Sequence, residues 1–199
     1  MKIYDISQEV FSCVVYPDDP VPHKQTIQSI KEGSLYNLSS FSMCSHNGTH
    51  VDSPFHFIEN GKTIDQIPLE KFVGYCYVSE HDGIVTAEDA LNILDKAYKA
   101  NPVSAKRILI KGKAEISSQA ARIFAEKGIF LIGNESQTVG PETAPMEVHL
   151  ILLKQEVVLL EGLRLQNVPE GVYLLNSAPL NLSGADGSPC RAILIDILE

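Results

Sequence analysis

Short runs of alternating or β-branched residues open the chain: Lys2 to Ile6, Thr26 to Ile30 and Tyr36 to Met43 read as strands. Between the first two lies Tyr16-Pro17-Asp18-Asp19-Pro20-Val21-Pro22, whose prolines cannot donate to a ladder, so this loop crosses the surface or a cleft mouth. Tyr75 to Ser79 reads as another strand. Thr86 then opens a helix with Asp89 three residues on, an approximate capping box, and Leu91, Leu94 and Tyr98 follow at helical spacing. After Asn101-Pro102, Arg107 to Ile110 is a short apolar strand. Ser117 to Lys127 reads as a helix closed by Gly128, and Ile129 to Ile132 as the next strand. A helix within Pro141 to Leu153 precedes strands at Val157 to Leu160, Val172 to Leu175 and Ala192 to Ile197. Strand and helix alternate in the middle while the ends are richer in strands. That pattern predicts an α/β fold whose central sheet is buried, because its strands are continuous apolar runs.

Composition narrows the class. The chain has 199 residues, 44% of them hydrophobic and 21% charged, which predicts one globular domain spanning 1–199. No apolar run approaches the roughly 20 residues of a membrane span, and the start, MKIYDISQEV, lacks a signal peptide, so a cytoplasmic protein is expected. With a net charge of −9 and no basic cluster, the chain is not expected to bind nucleic acid. Its partner is expected to be a small-molecule substrate. Cys13, Cys44, Cys76 and Cys190 form no Cys-x-x-Cys pair and read as reduced, structural thiols, Cys44 lying beside the histidines described next.

Three of the six histidines fall within Ser45-His46-Asn47-Gly48-Thr49-His50-Val51-Asp52-Ser53-Pro54-Phe55-His56-Phe57. His46, His50, Asp52 and His56 all have even numbers, so a straight strand would put them on one face. On such a strand, at ~3.3 Å per residue, His46 and His50 would stand about 13 Å apart. Two ligands of one metal at ~2.0–2.1 Å each must be far closer. The chain must fold back, and Gly48 permits it. Gly48 and Pro54 disfavour a long helix, so a compact loop is expected. Nitrogen and carboxylate donors of this kind suit zinc, manganese or iron, and spacing alone does not choose among them. A solvated polar loop is the alternative.

His-x-Gly-Thr-His-x-Asp-x-Pro-x-His-Phe, complete from His46 to Phe57, resembles the signature of the cyclase-family metal-dependent hydrolases, the family of bacterial kynurenine formamidases (arylformamidases) and isatin hydrolases. Tyr4-Asp5-Ile6-Ser7 with Tyr16-Pro17, Ser177 to Leu182, and Gly184-Ala185-Asp186-Gly187-Ser188-Pro189-Cys190-Arg191-Ala192 resemble the family's opening and closing segments. The resemblance implies a swivelling β/β/α-type fold, a homodimer or homotetramer, and two zinc ions, with manganese as the other candidate. It implies His46, His50 and Asp52 as ligands, Asp52 reaching both metals, and His56 as the catalytic proton donor and acceptor. Its distal ligands, a histidine and a glutamate twelve residues on in a Leu-Glu-Gly-Leu context, match His149 and Glu161. Without the resemblance, His149 would read as a core histidine and Glu161 as a surface carboxylate.

Two positions depart from the family pattern. The chain has no tryptophan, and Tyr16 stands where the formamidases stack one on the substrate ring. Glu135 replaces an aspartate in Gly133-Asn134-Glu135-Ser136. The expected reaction is hydrolysis of a formamide C–N bond by metal-activated water, with Tyr16 against the substrate. Hydrolysis of a cyclic amide or lactone, and metal binding without catalysis, are the alternatives. His23, in the Pro-rich loop, is a candidate for lining the cleft, and His81 reads as a solvated turn. Gly184 to Gly187 lacks the lysine and helix that follow a phosphate loop.

Overall fold

A computed structural model describes residues 1–196; the last residue of the expected Ala192–Ile197 strand, Ile197, lies outside them. In chain order the elements are β1 (Lys2–Asp5), β2 (His23–Gln28), β3 (Leu38–Ser42), β4 (His50–Asp52), β5 (Val73–Glu80), β6 (Gly83–Val85) and α1 (Ala87–Ala100). There follow β7 (Arg107–Lys111), β8 (Ala114–Ile116), α2 (Ser118–Glu126), β9 (Leu131–Asn134), α3 (Met146–Leu153), β10 (Val158–Glu161), β11 (Gly171–Asn176), β12 (Gly187–Pro189) and β13 (Ile193–Asp196). Among the described residues, nine strands form one sheet in the order β1-β13-β11-β5-β7-β9-β10-β4-β12. Its centre, β5-β7-β9-β10, is parallel, and every pairing outside that centre is antiparallel. The expected α/β fold with a buried central sheet is what forms.

The sheet separates two apolar layers. On one face Ile108, Ile110, Ile132 and Leu159 pack with the buried residues of α1, α2 and α3. On the other, Leu109, Leu131, Val158, Leu160 and Val51 pack under Ile64, Phe72, Leu163 and Leu165. Strands covered on both faces have few polar positions to spare, which is why Ile108–Ile110 of β7 and Val158–Leu160 of β10 are apolar runs.

The helices start where the caps predict. Thr86 accepts from Asp89 N–H at 3.2 Å, and Asp89 carboxylate accepts from Thr86 N–H at 2.9 Å. Ser117 caps α2 through Ala120 N–H, and Gly128 closes it at φ +63°. In α1, however, the buried stripe is Ala90, Ile93 and Ala97, while Leu91 and Tyr98 are exposed. Two alanines let the helix lie close to its neighbours, and the larger side chains turn outward. Helix α3 begins only at Met146, because Pro141 to Pro145 forms a turn ahead of it. Strand β2 ends at Gln28 with a bulge, and Ile30–Glu32 is a 3-10 turn closed by Gly33. Of the cysteines only Cys76 is fully buried; all four are free thiols.

Candidate metal centre

The signature does not stay a loop throughout. Residues 46–49 turn, with Gly48 at φ +66°, and His50–Asp52 then becomes strand β4, inserted between β10 and β12. The turn brings the His46 and His50 rings to 5.1 Å between centroids, perpendicular to each other. Because side chains alternate along a strand, Val51 enters one core layer while His50 and Asp52 face the other side. Across the ladder His50 pairs with Glu161 and Asp52 with Leu159, so Glu161 shares that side. There α3 covers the sheet and delivers His149 from among Val148, Leu152 and Leu153. Three carboxylate and imidazole side chains on two adjacent strands and one on a helix thus converge at a single point.

All of these groups are out of water: Asp52 is 0% exposed, His50 1%, Glu161 2% and His149 3%. His50 Nε2 lies 3.4 Å from Asp52 Oδ1 and 3.3 Å from Glu161 Oε2. His149 Nε2 lies 3.6 Å from Asp52 Oδ2 and 3.3 Å from Glu161 Oε1. The far nitrogens are fixed by main-chain carbonyls: Gly48 O accepts from His50 Nδ1 at 3.1 Å and Pro145 O from His149 Nδ1 at 2.9 Å. A carbonyl only accepts, so Nδ1 carries the hydrogen and both Nε2 atoms turn toward the carboxylates. Val139 N–H holds Glu161 Oε1 at 2.8 Å.

His46 bridges outward, with Nδ1 2.9 Å from Asp52 Oδ1 and Nε2 2.8 Å from Asp186 Oδ2. Burial opposes charge on His46 and His50, but the carboxylates prevail: His46 is pushed up to about 9, mainly by Asp52, and His50 to about 10, by Asp52 and Glu161. His149 is raised in the same way by Glu161 against burial. Burial would raise Asp52 and Glu161, yet the imidazoles hold both carboxyls below their usual range. The pocket stabilises positive charge.

A divalent cation fits this donor set. Asp52 Oδ2 is buried and has no hydrogen-bond partner, a costly state for a carboxylate oxygen that a cation would relieve. Three trios, His46 with His50 and Asp52, Asp52 with His149 and Glu161, and His46 with His56 and Asp186, each offer donor atoms within 4.8 Å of one another. The first two share Asp52.

His56 stands beside this set, in a 3-10 turn at Pro54–His56, its side chain 27% exposed. Its ring lies on that of His46, with centroids 3.9 Å apart and 30° between planes. Tyr16 is half-buried, and its hydroxyl donates to Glu142 O at 3.2 Å, on the loop that follows Val139. Glu135 is turned away from the cluster, accepting from Gly112 N–H and Leu165 N–H. His23 is exposed on β2. His81 lies in the turn before β6, its Nε2 3.2 Å from Ile84 O. Burial, with Asp19 and Asp186 nearby, raises the Cys44 thiol above its usual value.

Asp186 is the residue that sequence reasoning passed over. Its segment, Gly184 to Gly187, was matched as a stretch, and no spacing ties an aspartate so late in the chain to His46. Only the fold shows the close approach: an added Cβ at Gly187 would come within 2.7 Å of His46 Cε1.

Comparison with known proteins places the chain in a family. The sequence pattern of the Cyclase family, described as "Putative cyclase", matches residues 4–141. A kynurenine formamidase of Salinibacter ruber (strain DSM 13855 / M31) is 33% identical, over 98% of each chain. That of Erythrobacter litoralis (strain HTCC2594) is 31% identical, over 98% of this chain and 94% of its own. A solved potential metal-dependent hydrolase with cyclase activity superposes with a TM-score of 0.81 at 30% identity, over 97% of this chain and 96% of its own. Isatin hydrolase A from Labrenzia aggregata shares the fold, with a TM-score of 0.80 at 21% identity over 97% and 93%. With the family pattern matched over more than half its length and formamidase relatives matched end to end, the chain belongs to the Cyclase family.

Proposed function

We propose that this chain is a metal-dependent hydrolase that adds water across the C–N bond of a formamide, releasing an amine and formate. The observation that carries the reading is the buried meeting of His50, Asp52, His149 and Glu161 around the unpartnered Asp52 Oδ2. His46, His50 and Asp52 would hold one cation, and Asp52, His149 and Glu161 a second. Zinc is the candidate for both positions and manganese the alternative. Histidine and carboxylate donors without cysteine favour a catalytic over a structural site. Bound there, divalent cations polarise a carbonyl oxygen and lower the pKa of water towards ~7.

The remaining chemistry belongs to side chains. His56, more open to solvent than the buried histidines, takes a proton from the attacking water and returns it to the leaving nitrogen. Tyr16 packs a planar substrate against the mouth of the site. The kynurenine formamidase relatives support an aryl formamide as that substrate.

A cyclic amide opened by water is the second reading. It requires the same bond to break, and Tyr16 offers a smaller stacking surface than a tryptophan would.

Elemental analysis of the purified protein, with a panel of N-formylkynurenine, simple aryl formamides, isatin and lactones, tests the reading. We expect stoichiometric metal and turnover of formamides. Prolonged chelation should abolish turnover, and zinc or manganese should restore it. Full activity in thoroughly metal-free protein overturns the proposal.

A further inference from the structure

Strand β12 pairs with β4 in the register Gly187↔Asp52, Ser188↔Val51, Pro189↔His50. Asp186 therefore enters the site directly beside the ligand-bearing strand. Its main chain is pinned there: Asp186 O accepts from Ser53 N–H at 3.0 Å and from Ser53 Oγ at 2.9 Å. On the preceding residue, Ala185 O accepts from Ile64 N–H at 2.9 Å. Gly187 lets the segment lie against the His46 ring and Val51 O, where a Cβ would be 2.7 and 2.8 Å from them. The side chain is held as firmly. Ser45 Oγ donates to Oδ1 at 2.9 Å, and Oδ2 receives His46 Nε2 at 2.8 Å with His56 Nδ1 at 3.5 Å. One carboxylate oxygen thus gathers two stacked imidazoles, one from the metal cluster and one from the acid–base group.

We propose that Asp186 is a positioning residue that couples the metal cluster to the proton-transfer histidine, holding His56 by Nδ1 so that Nε2 is the nitrogen left to exchange protons with substrate. This rests on the hydrolase reading above. A carboxylate only accepts, so where no cation lies between them an imidazole nitrogen bonded to it carries the hydrogen, and the opposite nitrogen is left for acid–base work. The 3.5 Å separation is long for a hydrogen bond; such contacts often tighten only when substrate is bound. Carboxylates that orient imidazoles in this way, when altered, cost about 10–100-fold in metal affinity or activity.

Asp186→Asn keeps the shape and removes the charge. In the zinc-loaded protein we expect metal content equal to wild type at saturating zinc, KM for N-formylkynurenine within about threefold, and kcat lowered roughly 10²-fold. Imidazole ¹⁵N spectra of the zinc-loaded protein should move the His56 hydrogen from Nδ1 in wild type to a mixture of both nitrogens in the variant. An unchanged kcat with unchanged His56 signals overturns the proposal. So does metal loss as deep as in His50→Ala, which would make Asp186 a ligand. Should Asp186→Asn fail to fold, Ser45→Ala removes only the hydroxyl on Oδ1 and should lower kcat in the same direction by a smaller factor; no change in kcat there also overturns it. The spectra need no turnover. A wild type inactive on every substrate would defeat the hydrolase reading while leaving the placement of the His56 hydrogen to be read directly.

Discussion

His50 and Glu161 sit opposite each other on β4 and β10, with His50 Nε2 3.3 Å from Glu161 Oε2. Ladder register therefore sets the spacing of two candidate ligands that lie more than a hundred residues apart in sequence. Glu161 is fully buried, so Glu161→Gln should leave the backbone in place and remove one negative charge from the cluster. We expect zinc affinity to fall at least 10-fold, since even outer partners of metal ligands cost ~10–100-fold. Competition with a chromophoric chelator, checked by elemental analysis, measures it. Unchanged affinity would remove Glu161 from the ligand set.

His56 contributes differently. His56→Ala should keep its metal, because His46, His50, Asp52, His149 and Glu161 all remain, and should lose rate by roughly 10²–10⁴-fold, the usual cost of a missing acid–base group. Metal content falling as far as in His50→Ala would make His56 a ligand and would reassign its role.

Much of this was legible beforehand, and what was not has physical causes. The signature placed His46, His50, Asp52 and His56 together because their spacing forces the chain to turn at Gly48, and it does. The signature could not show that His50–Asp52 becomes a strand: its partners, β10 and β12, come from more than a hundred residues downstream. Strands β6 and β8 were not anticipated either, because each is only three residues long and, among the described residues, pairs only with the other. Caps gave the starts of α1 and α2 because a cap is local chemistry. The buried stripe of α1 was misplaced by one residue because alanines outcompeted leucine and tyrosine for the close approach. Asp186 escaped notice because its meaning is wholly tertiary.

Away from the site, Glu170 ties three elements together: it accepts from Tyr77 Oη at 3.0 Å, Glu80 N–H at 2.9 Å and Lys96 Nζ at 3.1 Å. Partial burial pushes its carboxyl up, but these donors win and hold it below the usual carboxylate range. A lowered folded pKa means stabilisation that is complete above the unfolded value, near ~4.3, and is lost as pH falls through the folded value. Glu170→Gln should cost about 1 kcal/mol at pH 7, discounted for its partial exposure, and should converge on wild type near pH 3. Urea midpoints across that range measure the difference. A constant gap at every pH would show that shape, not charge, is what Glu170 supplies.

The β2–β3 hairpin belongs to neither layer. Residues 21–42 include no buried position, and Ile27, Ile30, Leu35, Tyr36 and Leu38 are exposed, Leu35 at 95%. An ordinary interface engages roughly 20–30 residues a side, about what this segment offers. It carries Lys24 and Lys31 against one acid, Glu32, so it is a locally positive segment on a chain of net charge −9. We propose that the hairpin docks on another copy of the chain. Light scattering should give a dimer or tetramer for wild type and a smaller species for Leu35→Glu/Tyr36→Glu. A wild-type monomer at working concentration would refute the assignment.

Tyr16 offers the test of substrate choice. Its hydroxyl is tethered to Glu142 O, so the ring is held in place beside the turn that precedes α3 and His149. Aromatic pairs contribute ~0.5–1.5 kcal/mol beyond burial, and ~1.4 kcal/mol is tenfold. Replacing the ring by a larger one can therefore shift preference by about tenfold at most if the ring meets substrate. Tyr16→Trp should raise kcat/KM for N-formylkynurenine relative to a small formamide such as N-methylformamide, while leaving metal content unchanged. The indole cannot place a hydroxyl on Glu142 O, so Tyr16→Phe serves as the control for the lost tether. An increase in both variants would credit the tether. An increase in Tyr16→Trp alone would place the ring against the substrate. Identical ratios across wild type and both variants would show that Tyr16 does not face it.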